Sequence, residues 1–377
     1  MTDAPDSTPH ERTDGSPEEP APFSEGPPPL PRPMLVLDGE VPDLPDTPAA
    51  EPVDHGTCRC GGAFDADGYC TSCGEPRPDP RHHFTAHPLP ELAAVCDRGV
   101  RHADNEDAMA VWGERAPDGP DLRAALVVCD GVSSATRSAE ASLAAAYAAL
   151  EVLSTSGLPP QERLLTATDA AAEAVARVGE EFPDSAPSCT FVAAVVEGRT
   201  ATVGNVGDSR AYWMPDLGQP HRLTRDDSMA EEQVAAGLDR SVAESGPLSH
   251  TITRWLGPDA PDHTPRITTV DVSAPGWLLL CSDGLWNYAS EPVALHDVVV
   301  AEQERVGTDP LGLAEALVGW AVSRGGADNI TVALLRTGDG DGPTEVGHTA
   351  YPDSVPEGTG PTEMNPADRA GQDGTHG

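Results

Sequence analysis

The chain has 377 residues, 62 of them acidic, and its 23 strongly basic residues are all arginine, giving a formal net charge of −39. Such a charge repels the phosphates of nucleic acids and of acidic lipids, so we expect neither as a partner. No stretch approaches the roughly 20 apolar residues of a membrane-spanning helix, and the N-terminus has neither a basic start nor an apolar signal core. We therefore expect a cytoplasmic protein without a membrane span.

Composition divides the chain into four parts. Residues 1–54 and 338–377 are rich in proline, acidic residues and serine and poor in aromatic residues. Such segments cannot bury enough apolar surface to offset their chain entropy, so we predict two disordered tails. Between them, the sequence predicts a short cysteine-containing module at 55–78 and one large folded domain at 90–337.

The cysteines form two groups. One group makes two closely spaced pairs, each followed by glycine: Cys58, Cys60, Cys70 and Cys73. Four thiolates can form a closed tetrahedral zinc site that folds a segment too short for its own core, and we expect such a zinc-ribbon-like knuckle to serve docking or autoregulation. Because one residue instead of two or more separates the first pair, unliganded thiols are the alternative. The other group lies in apolar runs and predicts buried free thiols: Cys96, Cys129, Cys189 and Cys281.

The folded domain alternates short apolar runs with longer alanine-rich segments. The apolar runs predict buried strands at 124–129, 190–196, 201–206, 277–281 and 330–335. Proline-free segments with apolar residues at helical spacing predict helices at 137–153, 161–181 and 311–323. Strands grouped in hairpins and helices grouped in pairs favour an α+β layered domain over a regular βαβ array.

Aspartates stand at three of these strand ends, in Asp130-Gly131, Asp283-Gly284 and Asp328-Asn329. A carboxylate at the end of a buried strand is costly to desolvate unless it is paired, and the chain has no lysine to pair with it. A single Asp-Gly would predict only a turn, but three acidic strand ends favour a shared cation. Oxygen ligands of this kind select Mg²⁺ or Mn²⁺ over zinc.

Five motifs follow one another in the order found in type 2C protein phosphatases, which the chain resembles over about residues 90 to 337. They are 97–108 (DRGVRHADNEDA), 127–131 (VVCDG), 206–213 (VGDSRAYW), 280–285 (LCSDGL) and 327–332 (ADNITV). The resemblance implies a four-layer sandwich, in which two central antiparallel β-sheets are flanked by pairs of α-helices. It also implies a two-metal site at one end of the sandwich.

The resemblance further implies the roles of single residues. The metal-binding residues would be Asp130, Gly131, Asp283, Asp328, Asp107 and Glu106, with Asp184 as a ligand of a third ion. Asp130 would bridge both ions, Gly131 would offer its carbonyl, and Glu106 and Asp107 would act directly or through water. A water between two Mg²⁺ or Mn²⁺ ions would attack the phosphorus of phosphoserine or phosphothreonine in line, without a phospho-enzyme.

Several positions depart from the family pattern. His102 stands where members usually have a phosphate-binding arginine, so we predict His102 and the adjacent Arg101 as the phosphate contact, weaker or pH-dependent. Ser133 and Ser134 replace a Gly-Gly pair, and Ser-Cys-Thr at 188–190 replaces Gly-Thr.

Asp208 and Ser209 of the Gly-Asp-Ser-Arg motif could be a metal ligand or a nucleophile. Because no histidine is arranged to activate the serine, we predict instead a hydrogen-bonded turn involving Arg210. By resemblance, the segment 226–253 corresponds to a flap that is mobile in bacterial members.

The sequence therefore predicts a metal-dependent protein serine/threonine phosphatase, acting as a monomer on phosphoproteins made by Ser/Thr kinases of the same cell. The main alternative is a catalytically weak scaffold or sensor with the same fold that binds phosphoprotein partners. A phosphatase for small phosphomonoesters is also possible, and a groove large enough for a polypeptide loop would argue against it.

Overall fold

A computed structural model describes residues 57–58, 60–115, 122–180 and 185–338. The predicted tails lie outside the described residues, except for Gly338. The chain divides into two compact units, with the division after Ser72. The first unit contains isolated antiparallel bridges that pair Thr57 with Ala63 and Phe64 with Cys70. All the strands and helices below belong to the second unit.

The second unit contains two antiparallel β-sheets. One sheet has six strands in the order β1 (His83–Leu89), β2 (Leu92–Asp97), β11 (Ile330–Thr337), β10 (Gly276–Cys281), β7 (Arg210–Pro215) and β8 (His221–Arg222). The other has five strands in the order β3 (Ala108–Arg115), β4 (Leu122–Cys129), β5 (Phe191–Glu197), β6 (Thr200–Val206) and β9 (Arg266–Asp271). Antiparallel pairing throughout both sheets is what hairpin-connected strands produce.

A pair of helices covers the outer face of each sheet. Helices α1 (Ser138–Thr155) and α2 (Pro160–Gly179) pack on the five-stranded sheet. Helices α6 (Pro292–Val306) and α7 (Pro310–Ser323) pack on the six-stranded sheet. A third cluster of apolar side chains joins the inner faces of the two sheets. The four-layer sandwich that the resemblance implied is therefore confirmed.

Local sequence explains where these helices lie. Proline occupies the first turn of α2, α6 and α7, where its missing N–H costs nothing. Asp309 caps α7 by accepting a hydrogen bond from the Gly312 N–H at 2.8 Å. The buried faces of α1 and α2 are largely alanine, including Ala145 and Ala171, and these small side chains let the two helices approach each other closely.

The five predicted strands and three predicted helices are all present, with ends shifted by at most two residues. Strand β9 was missed because its residues are all half-buried or exposed and include Arg266 and two threonines. Helix α6 was missed because it buries mainly Leu295 and Val299 in the core. Three short helices also lack a clear apolar pattern: α3 (Met229–Ala235), α4 (Arg240–Glu244) and α5 (Asp283–Trp286). Among the described residues, none of the helices has the length and apolar character needed to cross a membrane.

Candidate metal centre

The three predicted strand-end aspartates lie at one end of the sandwich. Asp130 follows β4, Asp283 follows β10, and Asp328 comes just before β11, whose residue Val332 pairs with Cys281. Burial and the neighbouring charges of Asp107 and Asp283 raise the pKa of Asp130 well above its usual range. These groups therefore share one electrostatic environment, as ligands of common cations would.

Asp107 is the most deeply buried carboxylate of the centre, with no exposed surface. Its Oδ2 accepts hydrogen bonds from Ser282 Oγ and Thr331 Oγ1, both at 2.7 Å. Burial raises the pKa of Asp107 to about 7, with repulsion from Asp328 and Asp283 acting in the same direction and the two hydroxyl hydrogen bonds opposing it. The two hydroxyls fix the orientation of this carboxylate.

Two buried carboxylate oxygens have no hydrogen-bond partner among the described residues: Asp107 Oδ1 and Asp283 Oδ1. The other oxygen of Asp283 accepts a hydrogen bond from Asn287 Nδ2 at 2.9 Å. Burial and repulsion from Asp328 raise the pKa of Asp283 to about 6. Unpartnered buried oxygens are costly, and a divalent cation would satisfy both of them. The residues present therefore fit a Mg²⁺ or Mn²⁺ site.

Glycine at two of these strand ends permits a close backbone approach. A Cβ atom on Gly131 would lie 2.6 Å from the Glu106 carbonyl oxygen, and one on Gly284 would lie 1.9 Å from the Asn329 carbonyl oxygen. Neither glycine has a positive φ. These glycines are therefore required by packing at the centre and not by turn geometry.

Glu106 is held by hydroxyl groups that the sequence did not predict. Ser133 Oγ donates to one oxygen of its carboxylate, and Ser138 Oγ donates to the other. The Glu106 N–H donates to Asn329 Oδ1 at 2.7 Å. Since both carboxylate oxygens already accept a hydrogen bond, contact with an ion through water suits Glu106 better than direct binding. Ser133, one of the departures from the family pattern, thus has a positioning contact.

A second unpredicted contact comes from Arg81, upstream of β1. Its Nη2 donates to the carbonyl oxygens of Asn105 at 3.1 Å and Asp107 at 2.9 Å. In return, Asn105 Nδ2 donates to the Arg81 carbonyl oxygen at 2.8 Å. These bonds tie the segment before β1 to the loop that carries Glu106 and Asp107. They join residues 24 and 26 positions apart, so no local pattern could reveal them.

The two residues predicted to bind phosphate are placed differently. His102 Nε2 lies 3.2 Å from Asp328 Oδ1, and His102 Nδ1 lies 3.8 Å from Glu106 Oε2. The adjacent Arg101 is exposed. The structure therefore brings His102 into the metal centre and leaves Arg101 on the surface of the same loop.

The Gly-Asp-Ser-Arg segment corrects one prediction. Arg210 pairs with Asp226 at 2.6 Å and lies 3.5 Å from the ring centroid of Trp286, so it does not close a local turn. Asp208 is buried, and burial together with repulsion from Asp283 raises its pKa well above the usual range. Asp208 therefore extends the acidic centre. Ser209 Oγ lies 2.7 Å from Thr190 Oγ1 and is fully buried, which is a structural contact.

The segment 226–253 forms α3 and α4 beside the centre. A cavity of about 400 Å³ lies between this segment and the residues Asp283, Trp286, Tyr288 and Asp328. Its size lies within the range of ligand-binding clefts. The cavity gives the metal centre a neighbouring space that could receive part of a bound polypeptide.

The cysteine module brings its four predicted ligands together. Sγ atoms of Cys58, Cys60, Cys70 and Cys73 all lie within 4.8 Å of one another, and Cys60 Sγ and Cys70 Sγ are 3.4 Å apart. Tetrahedral zinc with Zn–S bonds of about 2.3 Å separates its sulfurs by about 3.8 Å. The cluster therefore fits a zinc site. The remaining predicted ligand, Asp184, lies outside the described residues.

Comparison with known proteins identifies relatives of this chain. The family model "Protein phosphatase 2C" matches residues 99–320. Protein phosphatase PhpP of Streptococcus pneumoniae is 25% identical over 262 residues, covering 67% of this chain and 99% of PhpP. Serine/threonine protein phosphatase PstP of Mycobacterium tuberculosis is 29% identical over 255 residues, covering 66% of this chain and 45% of PstP.

Solved structures show the same likeness. A crystal structure of M. tuberculosis PstP superposes with a TM-score of 0.54 and 28% identity, covering 65% of this chain and 97% of that one. The catalytic domain of PstP in complex with two manganese ions superposes with a TM-score of 0.51 and 26% identity, at the same coverage.

Proposed function

Since the chain belongs to the protein phosphatase 2C family, we propose that it removes phosphate from phosphoserine and phosphothreonine in proteins with the help of divalent metal ions. The observation that carries this proposal is the pair of buried, unpartnered oxygens on Asp107 and Asp283. A purely structural aspartate would have its buried oxygens satisfied by protein donors.

The proposed ligand set follows the arrangement of the centre. Two Mn²⁺ or Mg²⁺ ions would be held by Asp130, the Gly131 carbonyl, Asp283, Asp328 and Asp107, with Glu106 acting through water and Asp184 serving a third ion. When bound, such ions make water acidic and neutralise the charge of the phosphoryl group. PstP with two manganese ions supports the choice of metal.

The chain's own groups hold these ligands in place. Ser282 and Thr331 orient Asp107 through their hydroxyls. Thr190 Oγ1 accepts a hydrogen bond from the Asp130 N–H at 3.0 Å. Asn329 Nδ2 donates to the carbonyl oxygens of Arg98 and Asp104, at 2.8 Å and 3.1 Å, which fixes the loop carrying Arg101 and His102. Arg101, exposed on that loop, stays the proposed contact for substrate phosphate.

We assign a structural Zn²⁺ to the module at 55–78, whose four thiolates leave no open position for catalysis. The phosphatase domain would span 90–337. Its substrates would be phosphoproteins made by Ser/Thr kinases in the cytoplasm of the same cell, and the protein would act as a monomer. The cavity beside Asp283 and Asp328 supports a polypeptide substrate.

Phosphate release from a phosphothreonine peptide tests the proposal. Wild type is assayed with Mn²⁺, with EDTA and with sugar phosphates, beside Asp283→Asn with Mn²⁺. Glu114→Gln is the control, because Glu114 forms an exposed ion pair with Arg123. We expect release that requires the metal, prefers the peptide and falls by on the order of 10²–10³-fold only in Asp283→Asn. Folded, metal-loaded wild type that releases nothing from several phosphopeptides would instead indicate a scaffold or sensor.

A further inference from the structure

His102 lies in a loop whose backbone is locked against the turn that carries Asp328. The Val100 N–H donates to the Gly326 carbonyl oxygen at 2.9 Å, and Arg98 Nη1 donates to the His102 carbonyl oxygen at 3.0 Å. A Cβ atom on Gly99 would lie 2.1 Å from the Asp328 carbonyl oxygen, so the two segments are in direct backbone contact. The backbone that carries the imidazole is therefore held in place before any ligand binds.

The imidazole lies between two carboxylates of the proposed metal centre. Its Nε2 is 3.2 Å from Asp328 Oδ1, and its Nδ1 is 3.8 Å from Glu106 Oε2. Two donor atoms that occupy adjacent positions on one ion, each with a bond of about 2.1 Å, are separated by about 3 Å. The spacing between His102 Nε2 and Asp328 Oδ1 matches that separation.

From this geometry we propose that His102 is a metal ligand through Nε2, on the ion that Asp328 binds. The inference rests on the proposed function, because it concerns the same centre. Imidazole is a good ligand for transition metals, whereas Mg²⁺ prefers oxygen ligands. One nitrogen donor therefore shifts the selectivity of this site from magnesium towards manganese. The role of phosphate contact then falls to Arg101 alone.

A second histidine provides a matched control. His250 Nδ1 lies 3.8 Å from Asp283 Oδ2, but its side chain is 61% exposed, compared with 28% for His102. His250 lies outside α3 and α4, in the part of the segment 226–253 that follows them. It is close to a proposed ligand without the spacing of an adjacent ligand pair. Replacing His250 therefore removes a histidine near the same centre without removing the proposed ligand.

The test uses the full chain, freed of divalent ions at the centre and reloaded with Mn²⁺. Pulsed electron paramagnetic resonance reports ¹⁴N coupling to Mn²⁺, and calorimetry gives the affinities for Mn²⁺ and for Mg²⁺. We expect ¹⁴N coupling in wild type and in His250→Gln, and its loss in His102→Gln. We also expect His102→Gln to lower Mn²⁺ affinity at least about 10-fold and to lower Mg²⁺ affinity less.

Three outcomes would overturn the inference. Mn²⁺ bound to wild type without ¹⁴N coupling would exclude a nitrogen ligand. Unchanged Mn²⁺ affinity in His102→Gln, together with a raised KM and weaker inhibition by inorganic phosphate, would make His102 a phosphate contact. Both results leave the proposed phosphatase function standing. Wild type that binds no Mn²⁺ at all would overturn both the inference and the metal-dependent function.

Discussion

The domain contains two clusters of buried and half-buried carboxylates that differ in their partners. The paired cluster, in and around the segment 226–253, consists of Asp226, Asp227, Glu231 and Glu244 and is matched by arginines. The unpaired cluster, at the metal centre, consists of Asp107, Asp130, Asp208 and Asp283. Both clusters use the same functional group in the same fold.

Their electrostatics are opposite. In the paired cluster, burial would raise the pKa of Glu231, but Arg240 and Arg222 outweigh it and hold the pKa below its usual value. In the unpaired cluster, burial and mutual repulsion raise the pKa of all four carboxylates. Removing one partner of a buried ion pair is costly, so the paired cluster is structural, whereas carboxylates left without counter-charges in one place indicate a binding site.

Breaking the paired cluster should produce the largest effect. Asp227 is 1% exposed and accepts hydrogen bonds from Arg254 at 3.1 Å, Arg266 at 2.8 Å and the Gly207 N–H at 3.2 Å. Asp227→Asn removes the buried charge that Arg254 and Arg266 share, and only Arg254 keeps a second carboxylate partner among the described residues, Asp262. We expect the free energy of unfolding in urea to fall by about 3–5 kcal/mol. Glu114→Gln, at the exposed pair of Glu114 with Arg123, should lower it by less than about 1 kcal/mol. Equal losses in the two variants would contradict the difference between buried and exposed pairs.

The unpaired cluster should respond in the opposite way to loss of a charge. In the absence of divalent ions, Asp283→Asn removes one of several repelling charges, so stability should be unchanged or higher. In wild type, Mn²⁺ at 100 times its dissociation constant should stabilise the fold by about 2.7 kcal/mol. That gain should largely disappear in the variant. Thermal unfolding with and without Mn²⁺ measures both effects, and a metal-free variant as unstable as Asp227→Asn would contradict the comparison.

Arg81 lies beside the unpaired cluster, but it donates its hydrogen bond to the backbone carbonyl oxygen of Asp107. Arg81→Gln should lower the free energy of unfolding by about 2 kcal/mol, through loss of charged hydrogen bonds to Asn105 and Asp107. Displacement of this loop should also weaken Mn²⁺ binding. Arg81→Lys keeps the charge but not the planar guanidinium, so it should retain only part of the stability and part of the Mn²⁺ affinity. Complete rescue by lysine would show that charge alone matters.

The strands that carry the centre were predictable because they lie between a helix layer and the other sheet. Strands β4, β10 and β11 therefore read as continuous apolar runs. The aspartates at their ends were found because a charge next to a buried strand is costly unless a partner satisfies it. The motif order then implied how these ends meet, which the local pattern alone did not determine.

Contacts around the centre escaped prediction for a different reason. The hydroxyls of Ser133 and Ser138 reach Glu106 across 27 and 32 positions of sequence. Serine is common in loops and at helix starts, so nothing in its local context distinguishes a positioning hydroxyl. Arg210 was misassigned for the same reason, because its true partner Asp226 lies 16 residues away.

The smallest effect is expected where two carboxylates are paired with a histidine, because a histidine can lose its charge. His83 lies 2.7 Å from Asp97 and 3.2 Å from Glu315. Burial lowers the pKa of His83, but the two carboxylates outweigh it and raise the pKa above 6.5. The pairing therefore stabilises the fold fully below 6.5, the unfolded value, and is lost as pH rises through the higher folded value.

Because the His83 side chain is 44% exposed, solvent screens this pairing, and the gain should stay below about 1 kcal/mol. Urea unfolding of wild type and His83→Gln at about pH 6 and about pH 9 measures it. We expect the variant to be less stable only at the lower pH. His87→Gln, on the same strand at an exposed position, is the control and should show no pH-dependent difference. A His83→Gln deficit that persists at the higher pH would mean that the imidazole acts by packing, and that Asp97 and Glu315 need no counter-charge.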